Sequence, residues 1–147
     1  MLGAMKPDEV RGHMEKSEIF FFTSDRGEGW GAVLNESMNS ACAVVASHAI
    51  GSVPFLIDNG ENGLIYKDGD IDDLYKKIKG LLDNPEERKR LSKNAYLTMV
   101  NEWNANNAAQ KFSVLSERVL NGEECIDLFE SGVCSKAEVL KDNWCKN

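Results

Sequence analysis

Apolar residues fall along this chain in two rhythms. In the first part they come in short unbroken runs, Ile19 to Thr23 and Ala43 to Ala46. Such runs read as strands covered on both faces. Between them, the polar loop Ser24-Asp25-Arg26-Gly27-Glu28-Gly29 leads into a stretch with Leu34, Met38 and Ala41 on one side. That spacing predicts a helix from about Trp30 to Ala41. Strand, loop, helix and strand within some thirty residues form a βαβ unit, so residues 18–23 and 43–47 are expected to pair in parallel. A weaker helical pattern over 7–16 precedes it, with Pro7 suited to the first position and Val10 and Met14 four apart. Two more strands are expected at Val53 to Ile57 and Gly63 to Tyr66, separated by the turn-rich Asp58-Asn59-Gly60-Glu61-Asn62.

From Asp70 the rhythm changes to three and four. Ile71, Leu74, Ile78 and Leu81 predict a helix with Asp70 as its cap. Asn84-Pro85-Glu86-Glu87 opens another, with Leu91, Ala95 and Met99 inward. A third is expected from about Asn104 to Leu120, with Ala108, Phe112, Leu115 and Val119 inward and Gly122 past its end. Residues 123–147 read as a polar tail with a short helix near 136–142. The fold class is therefore α/β: a partial Rossmann-like parallel sheet flanked by helices, with further helices at the C-terminal end. Residues 1–122 make the main unit. An open parallel sheet usually has more strands than are visible here, so the first part of a larger α/β domain is expected to be missing.

Composition narrows the partners. The 147 residues include 17 Lys and Arg against 24 Asp and Glu, a net charge of −7, which argues against nucleic acid as the main partner. A single small anion remains compatible, because backbone N–H groups can hold it. No apolar run approaches a membrane span, and the N-terminus lacks the apolar core of a signal peptide, so the expected place is the cytoplasm. The alternative is peripheral attachment at the inner face of the membrane. Cys42, Cys125, Cys134 and Cys145 lack metal-ligand spacing, and no metal or other cofactor is expected. Cys42 reads as a small core residue.

The candidate chemistry gathers at the 24–36 segment. In an open α/β sheet, ligands sit beyond the carboxyl ends of the strands. Gly27, Gly29 and Gly31 let the backbone approach a ligand, and the N–H groups of Trp30, Gly31, Ala32 and Val33 would open the helix at its positive end. The plain alternative is that these glycines only make a tight turn. Glu28 beside a phosphate would repel it, so a functional Glu28 would face neutral hydroxyls. Glu36, eight residues on, reads on spacing alone as a solvated helix residue. His13, Lys76, Lys77, Lys79 and Arg88-Lys89-Arg90 read as surface, and Trp103 and Trp144 as packing residues. Arg26 reads as a solvated loop arginine, and His48 lies near the strand-end site.

Glu28-Gly-Trp-Gly-Ala-Val-Leu-Asn-Glu36 and the Ser-Met-Asn-Ser-Ala-Cys-Ala-Val-Val-Ala-Ser47 that follows resemble the Glu-x7-Glu region of retaining glycosyltransferases of family 4, which have the GT-B fold. The similarity runs on through Gly51-Ser52-Val53-Pro54 and Asn59-Gly60-Glu61-Asn62-Gly63-Leu64-Ile65-Tyr66 and covers roughly residues 2–120. The tail around Gly132-Val133-Cys134-Ser135 is similar to the ends of some capsule-type sugar transferases. Ser52 and Phe55 depart from the family pattern, which often has Gly and Glu there.

The resemblance implies a nucleotide-sugar-binding portion over residues 1–122, the C-terminal half-domain of a GT-B enzyme. It implies transfer of a hexose from a nucleotide-diphosphate sugar with retention, in polysaccharide or glycoconjugate biosynthesis. Glu28 would be the catalytic-site carboxylate on the donor sugar. Trp30, Gly31, Ala32 and Val33 would offer backbone N–H groups to the diphosphate, Glu36 would bind the ribose, and Gly27 would also belong to the donor site. The acceptor, a sugar or lipid-linked glycan, would bind an N-terminal domain missing here, and without it the isolated chain is expected to be inactive. The alternative is a truncated, non-catalytic module for nucleotide binding or protein interaction. A flavodoxin-like regulator would need an acidic pocket at the strand ends, which Asp25 alone does not supply.

Overall fold

The computed structural model describes residues 3–137, 139–141 and 144–145. Its centre is a parallel sheet in the order β1-β2-β3, with β1 at Ile19–Phe22, β2 at Ala43–Ser47 and β3 at Leu64–Tyr66. Ile19 pairs with Ala43 and Phe22 with Ala46, so the expected βαβ pairing holds. Val45 pairs with Leu64 and Ser47 with Tyr66. Helix α1 covers Pro7–Met14, α2 Ala32–Asn39, α3 Val53–Leu56, α4 Ile71–Asp83, α5 Pro85–Asn101 and α6 Ala105–Leu120.

Every residue of β2 is buried, and alternate residues serve opposite faces. Val44 and Ala46 join Leu34, Met38, Ile50, Leu56, Ala95 and Met99 in one cluster. Ala43 and Val45 join Tyr66, Leu81 and Leu91 in the other. Cys42 is fully buried, its Sγ donating to the Met14 carbonyl at 3.3 Å, and burial pushes its thiol pKa up.

Several expectations need correction. Residues 53–56 are a helix, not a strand: Pro54 has no N–H for a ladder and suits a first turn, and Val53 and Leu56 bury at helical spacing. Strand β1 is not covered on both faces. It lies at the sheet edge, and Phe21 is 55 % exposed. Helix α2 starts at Ala32 because Gly31 has φ of 75°, outside the helical region, and it stops short of Ala41, whose φ is 56°. The described residues of 136–142 carry no helix, and positions 138 and 142 lie outside the description.

The caps behave as their residue types require. Asp70 accepts from the Asp73 N–H, Asn84 from Glu87 and Asn104 from Asn107. Arg88 is no solvated residue. Its Nη1 donates to the Leu81 carbonyl at 2.7 Å and its Nη2 lies 3.2 Å from Glu18, which ties α5 to the end of α4. The tail packs back on the main unit: Trp144 and Cys145 rest against the first cluster.

Candidate functional site at the carboxyl edge of the sheet

The loop after β1 turns inside Ser24 to Gly31. Asp25 Oδ1 accepts from the Gly27 N–H at 2.7 Å, and the Asp25 carbonyl accepts from the Glu28 N–H at 3.1 Å. Gly27 thus shapes the turn, and its N–H is taken up by Asp25. Glu28 stands half-buried in this turn, before the helix.

Two glycines fix where α2 begins. A Cβ on Gly31 would lie 2.8 Å from Phe22 and 3.0 Å from Ile50, and its positive φ already disfavours other residues. A Cβ on Gly51 would lie 2.3 Å from the Gly29 carbonyl oxygen. That close approach lets the Gly51 N–H donate to Gly29 at 3.0 Å and the Ser52 N–H to Trp30 at 3.1 Å. The loops after β1 and β2 are therefore laced together by backbone bonds.

The opening of α2 is bare. Ala32 and Val33 are its first residues, so their N–H groups have no acceptor within the helix, whereas Leu34 N–H already donates to Gly31 at 2.9 Å. Ala32 and Glu36 are both exposed and one turn apart on the same face, a rise of about 6 Å. Since Glu28 precedes the helix, the separation of the two glutamates is not set by helical rise. Glu36 also lines a cavity of about 310 Å³ with Asn35, Asn39, Met99 and Trp103.

Trp30 anchors the loop with its side chain. Its indole N–H donates to Asn35 at 2.9 Å, and its ring stacks on Phe55 at 5.8 Å and tilts against Trp103 at 5.8 Å. The packing role expected for Trp103 holds, and Phe55 adds an aromatic wall beside the loop.

The chain has counterparts among known proteins. The family model of glycosyl transferases group 1 matches residues 1–98. The chain belongs to that family. An uncharacterized glycosyltransferase of Methanocaldococcus jannaschii is 35 % identical over 94 residues, which cover 64 % of this chain and 26 % of that protein. The chain thus spans about a quarter of that relative's length. The C-terminal domain of a glycosyl transferase group 1 family protein from Francisella tularensis superposes with a TM-score of 0.66 at 24 % identity, over 71 % of this chain and 53 % of that one. Anabaena HepE, solved in complex with UDP, superposes with a TM-score of 0.62 at 23 % identity, over 71 % of this chain and 29 % of that one. These neighbours share the GT-B architecture, and this group 1 chain carries the C-terminal part of it.

Sequence reasoning reached the loop and the helix but not the whole neighbourhood. Arg26, His48, Gly51, Pro54 and Phe55 line a cavity of about 230 Å³ with Leu140, Lys141 and Trp144 from the tail. Arg26 and His48 were legible only as neighbours of the loop. Lys141 carries no signal of its own, because nothing local indicates that the chain returns to β2. No helix among the described residues is long and apolar enough to cross a membrane.

Proposed function

We propose that this chain is the donor-binding portion of a retaining hexosyltransferase that acts on a nucleotide-diphosphate sugar in polysaccharide or glycoconjugate biosynthesis. The reaction breaks the bond between the anomeric carbon and the diphosphate and forms one to an acceptor hydroxyl on the same face of the sugar. The acceptor would be a sugar or a lipid-linked glycan held by a second domain, with both domains on the cytoplasmic side.

The observation that carries this reading is the start of α2. Ala32 and Val33 present free N–H groups at the positive helix end, which suits a diphosphate leaving group without a metal. Glu36 lies one turn further along the same exposed face, where a ribose attached to that diphosphate would lie. Glu28 stands half-buried in the turn before the helix and would accept from sugar hydroxyls. A neighbour of this architecture was solved with UDP bound, which supports the choice of nucleotide.

Calorimetric titration of UDP and UDP-glucose tests the division of labour. Glu36→Ala should weaken both ligands by about 1.5–3 kcal/mol, since a charged acceptor to ribose hydroxyls is lost. Glu28→Ala should weaken only UDP-glucose, and removing a negative charge near phosphate should leave UDP unchanged or slightly tighter. Equal losses for both ligands in the Glu28 variant defeat the assignment. These 147 residues by themselves should transfer no sugar, because the acceptor would be held by a second domain. The second reading, a nucleotide-binding or interaction module, draws on the exposed Phe21 at the open edge of β1. Sugar transfer restored by adding the complementary half of the enzyme would exclude it.

A further inference from the structure

Helix α5 has a polar flank that neither the core nor the proposed nucleotide-sugar site uses. Asn94, Leu97, Thr98 and Asn101 stand at i, i+3, i+4 and i+7, so they share one face. Opposite them lie α3 and the turn that follows it, and the space between is a groove of about 690 Å³. That volume falls among those of small-molecule sites, about 300–1,000 Å³. The cavity beside Glu36 lies on the other flank of α5, against Met99, Val100 and Trp103.

Side chains that are already engaged shape this groove. Buried Asn62 donates from Nδ2 to the Leu56 carbonyl at 2.9 Å and to Thr98 Oγ1 at 3.0 Å, and its Oδ1 accepts from the Asp58 N–H at 2.8 Å. Asn94 Nδ2 donates to the Glu61 carbonyl at 2.7 Å, and Arg90 lies 3.3 Å from the Glu61 carboxylate. The Ser131 hydroxyl donates to Glu102. These bonds pin the turn to α5 and preform the walls, which lowers the cost of ordering them around a guest. They leave two lining groups over. The Asp58 carboxylate and the Asn101 amide are exposed and make no hydrogen bond or ion pair among the described residues.

The chemistry of the lining selects the guest. No Lys, Arg or His stands among the described residues that line the groove, so an anion finds no counter-charge there. A cation is served poorly too. Of the three lining carboxylates, Glu61 has Arg90 and Glu102 has the Ser131 hydroxyl, which leaves Asp58. Uncharged hydroxyls fit better: they donate to a carboxylate, and they both donate to and accept from an amide. Phe55 and Leu97, 40 % and 38 % exposed, supply an apolar wall for the C–H face of a sugar ring. Pro54, Phe55 and Ser131 also line an adjoining cavity of about 290 Å³, where Trp103 and Trp144 add aromatic surface. The groove therefore continues past Phe55, which suits a short chain of sugars more than a single ring. We propose that the groove between α3 and α5 is an accessory site for a neutral oligosaccharide, outside the nucleotide-sugar site, in which Asp58 and Asn101 bond hydroxyls and Phe55 is the stacking wall. A glycan held there would stay with the enzyme between transfers. That role rests on the polysaccharide reading above, and the binding site itself on the groove.

The test follows amide chemical shifts of the full chain during titration with maltotriose, cellotriose and triacetylchitotriose, beside trigalacturonate, spermidine and UDP. At least one neutral trisaccharide should bind, more tightly than its monosaccharide, and should move the amides of 94–102 but not those of 32–36. Asp58→Ala and Asn101→Ala should each weaken it about tenfold. Asp58→Asn, which keeps an acceptor, should lose less, and Glu36→Ala or saturating UDP should change nothing. Failure of all three trisaccharides to bind overturns the site, as does binding that ignores both alanine variants. Binding of trigalacturonate or spermidine in place of the neutral chains overturns it as well. If UDP responds to Glu36→Ala while no trisaccharide binds, the nucleotide-sugar reading stands and the groove proposal falls. If a trisaccharide responds to Asn101→Ala while UDP does not bind, the groove proposal stands and the nucleotide-sugar reading falls.

Discussion

Helices α5 and α6 are consecutive, almost equal in length and similar in pattern, yet only one of them belongs to the core. Helix α5 buries Leu91, Ala95 and Met99, the three residues its periodicity selects. It packs against α2, α4 and β2. Helix α6 buries none of its residues: of the four its periodicity selects, Phe112 is 64 % and Val119 58 % exposed, and Ala108 and Leu115 are half-covered. What holds α6 is local. Lys111 donates to the Ser131 carbonyl at 2.7 Å and lies over the Phe129 ring at 5.2 Å, and Asn107 donates to the Glu102 carbonyl at 2.7 Å. An apolar stripe reports that a helix has a face to cover. Whether anything covers it is a property of the neighbours.

The largest expected effect sharpens this contrast. Leu91→Ala should lower the unfolding free energy by about 2–4 kcal/mol, because a fully buried side chain leaves a cavity under β2. Phe112→Ala should cost less than about 0.5 kcal/mol, as exposed positions do. Denaturant titration compares the two directly, and equal losses would mean that α6 is covered in solution.

Next comes the glycine lacing beneath the site. Gly51→Ala places a Cβ 2.3 Å from a backbone oxygen, which the loops can only relieve by parting. A loss of about 1–3 kcal/mol is expected. UDP binding should fall with it, since the same loops set the start of α2. Gly80→Ala, in open space on α4, should instead be neutral or stabilising by up to about 1 kcal/mol.

The caps offer a matched pair. Asn84→Ala and Asn104→Ala remove the same type of hydrogen bond, at 3.2 and 2.9 Å, each worth about 1 kcal/mol to its helix. The loss at Asn84 should appear in global unfolding. The loss at Asn104 should appear mainly as faster amide exchange within α6.

The smallest effect is electrostatic. Desolvation pushes Asp73 up, but the Lys77 ammonium and the Lys67 N–H outweigh it and hold the carboxyl below its ordinary range. A depressed folded pKa adds stability above the unfolded carboxylate value and loses it as pH falls through the folded one. Asp73→Asn should therefore cost about 0.5 kcal/mol near neutrality and nothing at strongly acid pH, in acid titrations of stability.

Much of this was legible from local pattern. The βαβ unit, the caps at Asp70, Asn84 and Asn104, and the inward face of α5 follow from residue types at fixed spacings. So does the place of the glycine loop at the head of α2. The helix at 53–56 was missed because a short apolar run has no decisive period, and Pro54 tipped it. Arg88 was misread because a cation on a charged helix looks solvated until the Leu81 carbonyl is found beside it.

The sequence by itself determined the unbroken apolar run that makes β2 a strand covered on both faces, the family motif from Glu28 to Glu36, and the helical rhythm after Asp70. These are short-range properties, encoded in neighbours a few residues apart. Only the tertiary structure decided which apolar faces are covered, why Gly31 and Gly51 must lack a side chain, and where the tail returns. Phe22 and Ile50 crowd Gly31, Gly29 crowds Gly51, and Lys141 meets Arg26 and His48 in one cavity. Each is a meeting of residues from separate segments, and burial and charge convergence are set by such meetings in space, which spacing along the chain does not specify.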